Sequence, residues 1–100
     1  MPLHSAITAS DFELVQYLVS QGADVNAKEE DGGVTVLHHA VFALDANVEI
    51  IEIIKFLVSK GANINAKDED GRTPLDWAHH TEIARYLESV GGRSGNSDGR

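Results

Sequence analysis

No cysteine occurs in the chain, which excludes a disulfide framework and any thiolate metal site and permits a reducing compartment. Basic residues are scarce: eight Lys and Arg against sixteen Asp and Glu leave a net charge of −8. That sign repels phosphate backbones and anionic lipid headgroups, so neither nucleic acid nor a membrane is expected as a partner. Long hydrophobic runs are missing too, with nothing near the roughly 20 apolar residues of a membrane span. The first residues, MPLHSAIT, have neither the basic start nor the apolar core of a secretory signal. A soluble intracellular, cytoplasmic protein is the expectation. No glycine-rich phosphate loop follows a strand pattern, and no nucleophile stands at a recognisable spacing from a base. Neither an enzyme nor a cofactor is expected.

What is present suits one folded domain with a modest core: 42% of the residues are apolar and 24% charged. The chain also repeats itself. GADVNAK at residues 22–28 returns as GANINAK at 61–67, 39 positions later, with five of seven letters identical. The two changes, Asp24 to Asn63 and Val25 to Ile64, keep size or character. PLHSA from Pro2, TVLHHA from Thr35 and TPLDWA from Thr73 align on Leu3, Leu37 and Leu75. Self-similarity of this kind marks a repeat architecture.

These segments resemble the T-P-L-H-x-A signature and the G-A-D-V-N-A close of the ankyrin repeat family, over about residues 2–91. The resemblance implies an all-α repeat solenoid of about three stacked units, each a helix-turn-helix joined to the next by a β-turn finger, with a period of about 33 residues. The units are read as 1–30, 31–69 and 70–91, followed by a flexible tail at 92–100. Leu3 to Gly22 spans 19 positions but Leu37 to Gly61 spans 24, which places five extra residues around Ala43 to Ile51, where a loop is expected. A single extra residue falls at Gly32 or Gly33. Leu75 to Gly91 spans only 16, so the last unit is shortened and HHT becomes a tight link.

Local chemistry supports two helices per unit independently of the resemblance. Thr73-Pro74 and Thr35-Val36 are helix starts, because a threonine oxygen can accept a free backbone N–H and proline at the first helical position has none to leave unpaired. Ser10-x-x-Glu13 reads as a capping box opening a second helix with Leu14, Val15, Leu18 and Val19 on its apolar face. Gly22 and Gly61 end the second helices. The next such helix carries Ile50, Ile51, Ile53, Ile54, Leu57 and Val58, a band wide enough to be covered on two sides. In the last unit Glu88, Arg85 and Ala84 make one side polar, as befits the end of a stack. The first helix is expected to be lightly covered, which makes self-association at that end the exception to check in an otherwise monomeric protein.

Five histidines include the adjacent pairs His38-His39 and His79-His80. Neighbours on a helix point about 100° apart and cannot face one ion, so structural histidines and no metal site are expected. The resemblance implies instead that His4 and His38 hydrogen-bond between units. Asn26 and Asn65 occupy a position similar to known hydroxylation targets in the family; the reading adopted here is that their amides tie each turn to the next unit. Candidate contact residues lie where the stack sets equivalent positions side by side. The finger tips hold Glu29, Glu30 and Asp31 beside Asp68, Glu69 and Asp70, followed by Arg72. These acids either steer a basic partner or serve only to solvate the surface. His39 and Trp77 share a column after the signature position, and Phe42 ends a first helix on the concave side. Trp77 and Phe42 each fit two roles, an exposed binding anchor or a local seal.

The expected function is reversible binding of a protein partner, acting as adaptor or inhibitor. An alternative is a segment of a longer array that serves as the recognition arm of a multidomain protein. The layout of a fingerless first unit, a Gly-Gly turn and a shortened last unit also resembles a small acidic family member that binds the actin-capping protein, from which this chain departs by one unit fewer and by the insertion near Asp45.

Overall fold

The computed structural model describes residues 2–30, 32–42, 48–78 and 80–95. Six helices follow in order: α1 (Pro2–Thr8), α2 (Phe12–Ser20), α3 (Val36–Val41), α4 (Val48–Ser59), α5 (Pro74–Trp77) and α6 (Thr81–Ser89). They pair as α1/α2, α3/α4 and α5/α6, and the pairs stack: α1 lies on α3 and α3 on α5, while α2 lies on α4. The result is two helical layers, the arrangement expected of an all-α repeat solenoid. No strand is formed among the described residues beyond one isolated antiparallel bridge between Lys28 and Thr35 at the base of the first finger. Among the described residues no helix is long and apolar enough to cross a membrane.

The core is a single spine along the seam of the layers. Leu3 and Ile7 of α1, Leu37 and Val41 of α3, Ile53, Ile54 and Leu57 of α4, and Ile83 and Leu87 of α6 are all essentially inaccessible. The first helix therefore departs from the expectation of light cover: Leu3, Ala6 and Ile7 are buried because α2 and α3 both pack on it. The wide band on α4 is covered from two sides. Phe12 of α2 meets Phe56 with ring centroids 5.7 Å apart, and Lys55 Nζ lies 5.9 Å from the Tyr86 ring of α6. Ile51 and Val58 are half-buried at the edges of that band.

Helix starts follow the capping chemistry with one correction. Thr35 caps α3 as expected, in a reciprocal box closed by His38; Thr73 holds the same position before α5, where Asp76 accepts its N–H but the Thr73 hydroxyl donates to the Arg93 carbonyl. The cap of α2 is Asp11 rather than Ser10: Asp11 Oδ1 accepts the Leu14 N–H at 3.1 Å, and Ser10 takes a left-handed φ of 55° in the turn before it. Asp is as good a cap as Ser, and the sharp α1–α2 corner needs a positive φ one residue earlier.

Both heptapeptides adopt one geometry. Gly22 and Gly61 stop α2 and α4 with φ of 99° and 96°, and the next N–H of each, Ala23 or Ala62, reaches back 3.0 Å to Leu18 or Leu57. Gly91 repeats this with φ 99°, so the third unit closes the same way. The five-residue insertion divides in two. Residues 43–47 lie outside the described residues; the remainder lengthens α4, which has 12 residues where α2 and α6 have 9. In that added turn Glu49 accepts the Phe12 N–H of α2 at 3.2 Å, a cap supplied across units.

Candidate functional site

One edge of the stack carries an open groove of about 770 Å³ lined by Phe42, Asp70, Gly71, Arg72, Asp76, Trp77 and Ala78. Its floor is aromatic. Phe42, 47% exposed at the end of α3, stands edge-on to Trp77 of α5 with centroids 5.2 Å apart, and Trp77 in turn meets His38 at 5.3 Å. Trp77 is half-buried and its indole N–H donates to Asp68 Oδ2 at 3.0 Å. Trp77 thus packs on the last unit while its ring lines the groove.

Asp68 is a correction to the acidic ridge. Its carboxylate faces inward, 9% exposed, and holds the second finger together: Oδ1 accepts the N–H of Asp70 and of Arg72, each at 2.9 Å. Burial raises its pKa, but these donors and the indole outweigh that effect and hold it below its ordinary value. The outward acids of that tip are Glu69 and Asp70, with Arg72 exposed beside them. On the first finger Glu30 is exposed, Glu29 is half-buried and turned toward α3, and Asp31 lies outside the described residues. The two fingers are joined: Glu69 N–H donates to Gly32 O at 2.8 Å and Lys28 Nζ to Lys67 O at 2.9 Å.

Glu29 has a different neighbourhood from its expected place on the ridge. Its Oε1 lies 3.3 Å from His39 Nε2 and its Oε2 lies 3.9 Å from His4 Nε2, while the two imidazoles stand edge to face at 4.8 Å. Adjacent-pair reasoning could not find this cluster, because its members come from α1, the first finger and α3. His80 of the second adjacent pair stands just before α6 without a side-chain bond to its first turn, and His79 lies outside the described residues.

A family model for ankyrin repeats, in three copies, matches residues 3–96. The chain belongs to the ankyrin repeat family. Ankyrin repeats are generally protein–protein interaction modules and typically non-enzymatic. The human 2-5A-dependent ribonuclease is similar over 39 residues at 51% identity, a stretch that covers 39% of this chain and 5% of that protein. The matched stretch is about one ankyrin repeat long.

In ankyrin terms the signature position is filled by His4, His38 and Asp76, and the three differ physically. His38 Nδ1 accepts the Thr35 N–H at 3.1 Å, so Nε2 carries the proton and donates to Arg72 O of the next finger at 2.9 Å. Burial lowers its pKa, against the opposing pull of that carbonyl and of Asp68. Asp76 has no proton to give and is surrounded by donors: Oδ2 accepts from Thr73 N at 3.0 Å and Gly95 N at 2.8 Å, and Oδ1 from Ser94 Oγ at 2.7 Å. The segment 92–95, placed with the tail by composition, is thereby fastened to the last repeat. Asn65 Oδ1 also accepts the Arg93 N–H at 2.8 Å. The signal for this was the Asp at a histidine position followed by a serine–glycine pair beyond Gly91.

Proposed function

We propose that this ankyrin module binds a protein partner across the groove between α3, α5 and the second finger, acting as an adaptor or as an inhibitor that covers the partner's own surface. The supporting observation is the exposed ring of Phe42 on the wall it shares with Trp77, Arg72 and Asp70. An aromatic ring already held in place by its neighbour loses little freedom when a ligand covers it, which is how interface anchors contribute affinity. Glu30, Glu69 and Asp70 at the finger tips favour a partner with a basic surface and raise its encounter rate. The module acts as a cytoplasmic monomer in this reading.

Affinity capture from the source cell with wild type, Phe42→Ala and the triple change of Glu30, Glu69 and Asp70 to Lys tests the proposal. Specific partners are expected with wild type, lost with Phe42→Ala and weakened in a salt-dependent way by charge reversal. Partners retained by both variants would remove the groove from the function. Purified actin-capping protein is a further bait, which decides the reading drawn from unit layout.

A second reading has its own support. Leu14 and Tyr17 on the outer side of α2 are 41% and 59% exposed, a pair that another repeat stacked before α1/α2 would cover. The module would then be one segment of a longer recognition arm. The gene's full reading frame, extending upstream through further repeats or not, separates the two.

A further inference from the structure

We propose that His4, Glu29 and His39 form a binding site for a zinc-class divalent transition-metal ion that clasps the first repeat to the second. One ligand atom from each of the three lies within 4.8 Å of the others. The His39–Glu29 separation of 3.3 Å already matches the roughly 3.4 Å edge of a tetrahedron with bonds near 2.1 Å. The His4–Glu29 separation of 3.9 Å closes to it by a small rotation of the half-exposed carboxylate. The second, independent observation is an unmet need. His4 is 4% exposed; its ring leans on the Val34 backbone, but among the described residues neither of its nitrogens, nor His39 Nε2, makes a well-formed hydrogen bond. Buried imidazole nitrogens that are only partly satisfied are costly, and an ion between them and Glu29 engages one from each ring.

The ligand set selects the ion. Two imidazoles and one carboxylate suit zinc and its first-row neighbours, whereas magnesium and calcium require oxygen ligands. Three protein ligands leave a fourth position for water. The contact of the His4 ring with the Val34 backbone falls short of a full hydrogen bond, and loss of such an outer contact costs about 10–100-fold in affinity, so binding is expected in the micromolar range rather than tighter. The consequence is mechanical: α1, the first finger and α3 become joined at one point, and Glu29 and His39 are withdrawn from the partner surface.

Calorimetric titration of the metal-free full chain with zinc chloride, paired with thermal melts, tests the site. One ion per chain and a raised melting temperature are expected for wild type, with magnesium giving neither. His39→Ala and Glu29→Gln, both at partly exposed positions, should each weaken zinc binding at least tenfold while keeping the metal-free melting temperature within a few degrees. His80→Ala should titrate as wild type. No saturable uptake by wild type, uptake that survives both cluster changes, or uptake lost with His80→Ala would each overturn the proposal.

Discussion

Asn26 grips the turn from Gly61 to Asn63 in the neighbouring repeat with both ends of one amide. Its Nδ2 donates to the Gly61 carbonyl at 3.0 Å while its Oδ1 accepts the Asn63 N–H at 2.6 Å. Asn65 repeats the pattern toward Gly91 and Arg93, at 3.0 and 2.8 Å. Two bonds to backbone at the edge of the stack are each worth about 0.5–1.5 kcal/mol. Asn26→Ala is therefore expected to lower stability by about 1–2 kcal/mol, roughly 5–15 °C in melting temperature for a chain of this size. A melt indistinguishable from wild type would show that water replaces the amide without loss.

Leu57 sits at the centre of the seam and is fully buried. Leu57→Ala should cost about 2–5 kcal/mol, through lost transfer energy and the cavity left behind. Each repeat here has few neighbours to lean on, so loss is expected across the whole stack rather than in one unit. Urea denaturation followed by circular dichroism measures it; a cost below about 1 kcal/mol would mean that the core collapses into the gap.

Asp68 and Asp76 both titrate below the ordinary aspartate value. In each, burial pushes the pKa up and backbone and side-chain donors more than reverse it: for Asp68 the Arg72 and Asp70 N–H groups and the Trp77 indole, for Asp76 Thr73, Gly95 and Ser94. A carboxyl that binds protons less readily folded than unfolded stabilises the fold fully above its unfolded pKa, and the gain is lost as the pH falls through the folded value. Stability is thus expected to hold from neutral pH down to about 5 and to decline below about 4. Asp76→Asn should flatten part of that acid limb in denaturation curves taken at several pH values. An unchanged limb would contradict the assignment.

Glu49, in the turn added to α4, caps α2 of the preceding repeat through the Phe12 N–H. A negative charge at a helix start contributes about 0.3–1 kcal/mol on an exposed surface and is screened by salt. Glu49→Gln should lower the melting temperature by a few degrees in dilute buffer and by less in high salt. Equal shifts in both would point to packing instead of charge.

Most of the fold was legible because it is written in repeated letters. The heptapeptide pair, the threonine caps and the period of Leu3, Leu37 and Leu75 each specify local geometry that stacking leaves intact. Legibility failed where distant segments meet. The turn from Asp68 to Arg72 is local, but the inward aim of its carboxylate depends on an indole nine positions later. The insertion shows its length in the spacing but not its conformation, and Val48 and Glu49 extend α4 ahead of the Ile50 band. Glu29 reads as a surface acid beside Glu30, and only the approach of α1 to α3 shows that it faces two imidazoles. The groove is half legible: Phe42, Asp70, Arg72 and Trp77 follow from the repeat frame, while Asp76 does not.

The Asp at position 76 has a bearing on protein engineering. A designer adding a repeat beyond α5/α6 in the register of His38 would bring a peptide carbonyl up to a carboxylate, two lone-pair bearers with no hydrogen between them. Lengthening this scaffold at that end would therefore begin by restoring histidine there and releasing the Ser94–Gly95 clasp, before any new helix is drawn.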